Sequence, residues 1–295
     1  MQSFTRGWNF MLQAWKMAMA DRDLLKPSLY TLLAGFIVSL VGFIPLALVG
    51  FILGTQSLPA RVLLGFFGIL LVFSHYAVTY IFSAMTVRLV YDFLTHGDGR
   101  MDQAWQTVQR DWGDILTLAA ASTLVSALKS MFRGNGRNRN VIGGMIAGLI
   151  DTVWTEAVFL VLPIMVIEDF NLKDGLKRAT YIVKNNLLLI GVSMVGVQLV
   201  TGLIGFVLVL LGIGLGLAIA LSLLSLAGSA VAWITVAVLL GILTASIFFM
   251  AANIIGSYTS TAYHTCLYLW ARSTEQAQQD NSQPVVPAPL AAVLE

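Results

Sequence analysis

The chain has 295 residues, of which 58% are hydrophobic and only 11% charged, with a net charge of +2. A soluble domain carries about a quarter charged residues, so this composition excludes a soluble globular enzyme, a disordered chain and a coiled coil. A mean hydropathy of +0.83 belongs to a chain whose main solvent is lipid, and the near balance of basic and acidic residues offers nothing to a nucleic acid.

Ahead of the first long apolar run stand Arg6, Lys16, Asp21, Arg22, Asp23 and Lys26. That segment is too long and too charged for a secretory leader, so the first span reads as a retained anchor. Within it Phe4, Trp8, Met11, Trp15 and Met19 recur at three- and four-residue spacing. This is the pattern of an amphipathic helix lying in the membrane interface, where Trp is favoured. The first span runs from Ser28 to Gly54, and the Thr55 to Pro59 segment punctuates a hairpin. The second, Val62 to Leu94, would be about 50 Å long at 1.5 Å per residue, so it should tilt or project beyond the hydrocarbon.

A second amphipathic stripe, Met101, Trp105, Val108 and Trp112, precedes a short third run from Ile115 to Phe132 that contains Lys129. Arg133 to Asn140 reads as a turn. The fourth run, Val141 to Ile167, contains Pro163, which with Pro45 should kink or end its span. Glu168 and Asp169 should cap the next amphipathic segment, with its stripe of Leu172, Leu176, Ala179 and Val183. From Asn185 to Ala271 there is no Asp, Glu, Lys or Arg. Two long spans fit this stretch, with a break between Gly212 and Ser229; three shorter spans also fit. Ser273 to Glu295, rich in Gln, Pro and Ala, reads as a disordered tail beyond a single membrane domain of residues 1–272.

The expected fold is an all-α, polytopic bundle of about six transmembrane helices with cytoplasmic interfacial helices. With six spans both termini share one side, and all basic residues except Arg61, Lys129, Arg133, Arg137 and Arg139 fall on it, marking it cytoplasmic. The likeness of Gln13-Ala14-Trp15 to Gln103-Ala104-Trp105 suggests three units, each an interfacial helix followed by a hairpin. That arrangement would be a parallel repeat, unlike the inverted repeats of many transporters.

Ionisable groups at bilayer depth cost about 2.5 to 3.5 kcal/mol each on insertion, so each requires an account. Asp151 and Glu156 lie within the fourth run and His75 within the second. Five residues apart, the two carboxylates stand about 140° apart on a helix and cannot share a narrow face. They could form an intramembrane proton- or cation-handling site with His75 as proton partner. Alternatively, Asp151 sits near the outer interface, Glu156 is neutral or paired with a group such as Lys129, and His75 is a satisfied polar group of the core. Asn253, Ser257, Thr261, His264 and Tyr268 form a polar stripe that would line a wet cavity or bond to neighbouring helices. Gly144 to Gly148 and Gly212 to Gly216 have the spacing that lets helices approach closely. The three His and the single Cys266 show no metal spacing, and no phosphate loop or nucleophile motif is present, so no cofactor, metal or catalytic residue is expected.

Several segments together resemble a bacterial and archaeal family of six-span membrane proteins of unknown function. They are Gly7-Trp8, Asp23-Leu24-Leu25 with Pro27, Asp151-Thr152-Val153-Trp154, Pro163 to Glu168, Asp174 to Ala179, and Ala262 to Tyr268. The resemblance would cover roughly residues 7 to 270, and more distantly it extends to the membrane domain attached to some glycerophosphodiester phosphodiesterases. The family usually has Ser where Ala179 stands, so that hydroxyl is no part of an essential site here. The resemblance implies a bacterial plasma-membrane protein. The expected role is non-enzymatic, structural or binding, with lipid, a protein partner or a second copy of the chain as partner and Trp8, Trp15, Trp105 and Trp112 as interfacial anchors. The alternative is a small proton- or ion-coupled transporter using Glu156, Asp151 and His75. The six-span layout predicts that a cysteine introduced at Asn135 is labelled from outside intact cells; labelling only after permeabilisation would overturn it.

Overall fold

The computed structural model describes residues 2–133, 141–227 and 231–294, which are nearly all helical and contain no strand. The turn expected at Arg133 to Asn140, with Asn135 in it, lies outside the described residues beyond Arg133 itself. The elements are α1 (Gln2–Ala20), a 3-10 turn (Arg22–Leu25), α2 (Lys26–Leu53), α3 (Leu58–His96), α4 (Met101–Arg133), α5 (Val141–Glu168), α6 (Leu172–Ala227), α7 (Val231–Asp280) and α8 (Ala288–Leu294). Six of these segments are long and apolar enough to cross a membrane. They pair as three hairpins, α2 with α3, α4 with α5 and α6 with α7. The uncharged stretch thus forms two long helices rather than three.

Local signals account for most of the boundaries. Ser57 caps α3 by accepting from the Ala60 amide at 3.3 Å, and Gly97, at φ +80, closes α3 in the left-handed conformation that favours glycine. Asn171, not Glu168 or Asp169, caps α6: its side chain accepts from the Asp174 amide at 3.0 Å and donates back to the Asp174 carboxylate at 2.9 Å. Glu168 instead forms ion pairs with Arg178 and Arg272, and Arg178 also bonds Glu275. Burial opposes the Arg178 charge, but Glu275 and Glu168 outweigh it and raise the pKa of the guanidinium above its ordinary value. Pro45 and Pro163 lie inside α2 and α5 and end neither.

The core sits at one end of the bundle. It is built from the last turns of α3, α5 and α7, the first turns of α4 and α6, and α1, with Phe10, Leu89, Ile115, Ile164, Tyr258 and Leu267 fully buried. Away from that end the hairpins splay. None of the most apolar stretch of α2 is buried, and only about a tenth of that of α6 or α7, against 44% for α5. The outward apolar side chains are the surface a hydrocarbon solvent would cover.

The amphipathic segments differ from the sequence reading in two respects. Those before the third and fifth spans are not separate helices but the opening turns of α4 and α6; only α1 stands alone. The buried face of α1 is Phe10, Met11, Ala14, Met17 and Ala18, which shares Met11 with the Trp and Met stripe but is rotated from the rest of it, because α1 docks on α6, α7 and α8. Trp15 accordingly turns inward, its indole donating to Thr259 at 3.3 Å and packing edge-on to Tyr258. Trp8, Trp105 and Trp112 remain 40%, 48% and 62% exposed. The first stays with its stripe, while Ala104, Val108 and Asp111 form the buried face of α4.

The expected disordered tail is likewise replaced by structure. Helix α7 continues to Asp280, and α8 returns to α1, burying Leu290, with the Ser273 hydroxyl donating to the Val285 carbonyl at 2.7 Å. Two further contacts hold the amino-terminal segment. The Asp21 carboxylate accepts from the Gly99 amide at 2.7 Å. A Cβ on Gly7 would fall 2.2 Å from the Gly196 carbonyl oxygen, so α1 and α6 touch backbone to backbone. Gly7→Val is therefore expected to lift α1 from α6 at a cost of about 1–3 kcal/mol. Earlier thermal unfolding and faster tryptic cleavage at Lys16 would report it, and unchanged behaviour would show that the crossing is not tight.

Candidate functional site

Helix α5 is the most buried of the six apolar helices and carries both intramembrane carboxylates. Their separation around the helix sends them to different neighbours. Asp151 faces α4, where Lys129 Nζ lies 2.5 Å from its Oδ1. Glu156 faces α6 and α7: its Oε1 accepts from Gln198 Nε2 at 2.7 Å, and its Oε2 stands 3.7 Å from His264 Nε2. The sequence reading offered Lys129 as a partner for Glu156; the 140° offset gives it to Asp151 instead.

His75 joins neither carboxylate. Its Nε2 lies 3.0 Å from Ser39 Oγ, and because that hydroxyl donates to the Gly35 carbonyl, the histidine is the donor. It therefore links α2 to α3 as a satisfied polar group, and the histidine that stands near Glu156 is His264.

Two concavities flank α5. The first, about 220 Å³, lies chiefly among α3, α4 and α5 and is lined by Tyr76, Tyr80, Ser122, Trp154, Lys129 and Asp151. Its wall is fixed by hydrogen bonds: the Trp154 indole donates to Ser122 Oγ at 2.9 Å, and Tyr80 OH lies 2.7 Å from the same oxygen. The second is an open groove of about 470 Å³ between α6 and α7. One end is polar, with Gln198, Thr201, Ser260 and His264; the other is formed by Gly205, Phe206, Val209 and Ala252, together with Asn253, whose amide donates to the Phe249 carbonyl at 2.8 Å. Phe159 separates the two, lining the first cavity while stacking on the His264 ring at 4.4 Å and 10°.

The polar stripe on α7 is divided between these spaces. Asn253, Ser257 and His264 face the groove, Thr261 faces the cavity, and Tyr268 is buried. Sequence reasoning missed Gln198, although it is the one Gln between Asn185 and Ala271 and therefore a visible exception in an apolar stretch. The buried atoms Glu156 Oε2, His264 Nε2 and Thr201 Oγ1 have no hydrogen-bond partner among the described residues. Such atoms are costly in a low-dielectric surrounding and mark a place where a polar group would be accepted. No cluster of three or more metal-ligating side chains occurs among the described residues.

The Gly212 to Gly216 spacing serves the α6–α7 hairpin, since a Cβ on Gly216 would meet the Gly241 carbonyl oxygen at 2.5 Å. Gly144 and Gly148 meet nothing within 4 Å. For the Lys129–Asp151 pair, removing one charge strands the other. Lys129→Met or Asp151→Asn alone should therefore cost about 3 kcal/mol, and the Lys129→Met, Asp151→Leu double variant distinctly less than their sum. A thermal-stability cycle in detergent measures this; additive losses would mean that the charges do not interact.

No curated protein matches the chain, and no solved structure does. A family model matches residues 60–277, from the start of α3 almost to the end of α7, and so takes in α5, the groove and both carboxylates. It leaves α1 and α2 outside, a shorter extent than the resemblance suggested. With most of its length covered, this membrane-spanning helical chain belongs to DUF6159, a family of unknown function.

Proposed function

We propose that the protein is a non-enzymatic, lipid-binding protein of the bacterial plasma membrane, multi-pass and with both termini cytoplasmic, that holds a single-chain amphiphile in the groove between α6 and α7. The observation that carries this reading is the polarity gradient of the groove. Hydrogen-bonding side chains gather at the Gln198–His264 end, next to buried polar atoms without partners, and toward Val209 the lining is mainly apolar, with Asn253 and Ser257 the exceptions and the Asn253 amide donating to its own helix at the Phe249 carbonyl. From Val197 to Val209 the groove rises about 18 Å at 1.5 Å per residue, and its volume lies within the range of small-molecule sites. The polar end is the one nearer the buried core, where a lipid headgroup would meet the interface. The exposed hairpins leave surface for surrounding lipid and for a protein partner or a second copy.

The glycines of the groove provide the test. A Cβ on Gly202 or Gly205 meets nothing within 4 Å, so a leucine there fills the groove without a clash at its base and with better helix propensity than glycine. Gly202→Leu is expected to abolish binding of tritiated cetyl alcohol to the purified protein while leaving the melting temperature equal or higher. Binding that survives with a filled groove would place the amphiphile elsewhere or nowhere. The rival reading, a small proton- or ion-coupled transporter, is favoured by Glu156 standing opposite His264. It requires a flux in liposomes that Glu156→Gln stops, with Asp151 as a second station; His75 has no place in it.

A further inference from the structure

We infer that Glu156 and His264 hold one exchangeable proton between them, and that this proton sets the charge at the polar end of the α6–α7 groove. The argument begins at the other nitrogen of the ring. His264 Nδ1 lies 2.6 Å from the Ser260 carbonyl oxygen, which can only accept, so Nδ1 carries a hydrogen. Nε2 is then either a lone pair, in the neutral ring, or a second N–H, in the cation.

That nitrogen stands 3.7 Å from Glu156 Oε2, and neither atom bonds anything else among the described residues. The other carboxylate oxygen is engaged by the Gln198 amide. Without a proton between them, a lone pair would face a carboxylate oxygen, two acceptors opposed, and the pair would carry a full negative charge. With one proton it is either imidazolium beside carboxylate or carboxylic acid beside imidazole. Both states are neutral overall, and both place a hydrogen where the two orphaned atoms meet.

The histidine of the pair is closely enclosed. His264 is 1% exposed, Phe159 stacks on its face, and the edge-on ring of Tyr263 is 5.3 Å away. Of the other titratable groups around the pair, Tyr263 comes from α7, and Asp151 and Lys129 neutralise each other on the opposite side of α5. From α6 come the neutral Gln198 and Thr201, and α1 reaches the site through Phe10 against Tyr263. The proton is therefore the variable charge at this end of the groove. Its departure leaves one negative charge beside any neutral headgroup bound there.

The effect on an occupant rests on the amphiphile reading, whereas the proton itself does not, and two measurements on the full chain in nanodiscs separate them. In pH-difference infrared spectra the wild type should show one titration in which carboxyl and imidazole bands change together. Glu156→Gln and His264→Gln should each abolish it, and the double variant should remove nothing more. A carboxyl band that titrates unchanged in His264→Gln, or an imidazole band unchanged in Glu156→Gln, would overturn the shared proton. In the second measurement the affinity for tritiated cetyl alcohol should fall about tenfold per pH unit above the midpoint of that titration, and both single variants should flatten the dependence. Binding independent of pH would overturn the coupling. An intact titration with no binding at any pH would instead reject the amphiphile and leave the proton in place.

Discussion

The structure depends on how α5 disposes of its carboxylates. An ionised side chain within hydrocarbon must find a partner or be neutralised, and α5 has two such groups along its length and a third carboxylate at its end. Asp151 reaches Lys129 on α4, Glu156 reaches Gln198 on α6 and His264 on α7, and Glu168 reaches Arg178 and Arg272 on the same two helices. Each requirement recruits a different set of neighbours, so the central helix is surrounded. The outer hairpins carry no comparable obligation over most of their length, and they splay into what lipid would fill.

This division gives the molecule two regimes. At the packed end, buried tyrosines, the Glu168–Arg178–Arg272 cluster and the docked α1 and α8 make a core like that of a soluble protein. Toward the other end, helix pairs touch mainly through small residues, as where Gly216 meets Gly241, and the remaining apolar surface faces outward. The groove lies where the regimes meet. Polar groups belonging to the packed end are there exposed to a space whose walls belong to the lipid-facing end, and that is the setting for a molecule with one polar and one apolar part.

Much of this was legible in the sequence. The limits of the first, second and fourth spans follow closely from hydropathy and local signals such as the Thr55 to Pro59 segment and the Glu168–Asp169 boundary, because a bilayer demands long apolar helices regardless of context, whereas the third begins at Met101 and not at Ile115. Asp151 and Glu156 were visible as exceptions to that demand, and helical geometry alone required them to face different partners. The direction of a docked helix was not legible. The Trp and Met stripe of α1 had the right period, but Trp15 turned inward because Tyr258 and Thr259, far along the chain, offered it a ring edge and a hydroxyl. The tail shows the same limit, since Ala288–Leu294 is too short to show a helical period and only α1 supplies the surface that buries Leu290.

From the sequence by itself come the all-α membrane class, a count of about six apolar crossings and the identity of the carboxylates that need partners, since these depend on composition and on periods within one helix. Which groups answer them was decided only by tertiary structure. His264 rather than His75 meets Glu156, and Lys129 goes to Asp151, because hairpin packing sets which faces of α3, α4, α6 and α7 reach α5. A helical period says which residues share a face; it carries no information about what that face will meet.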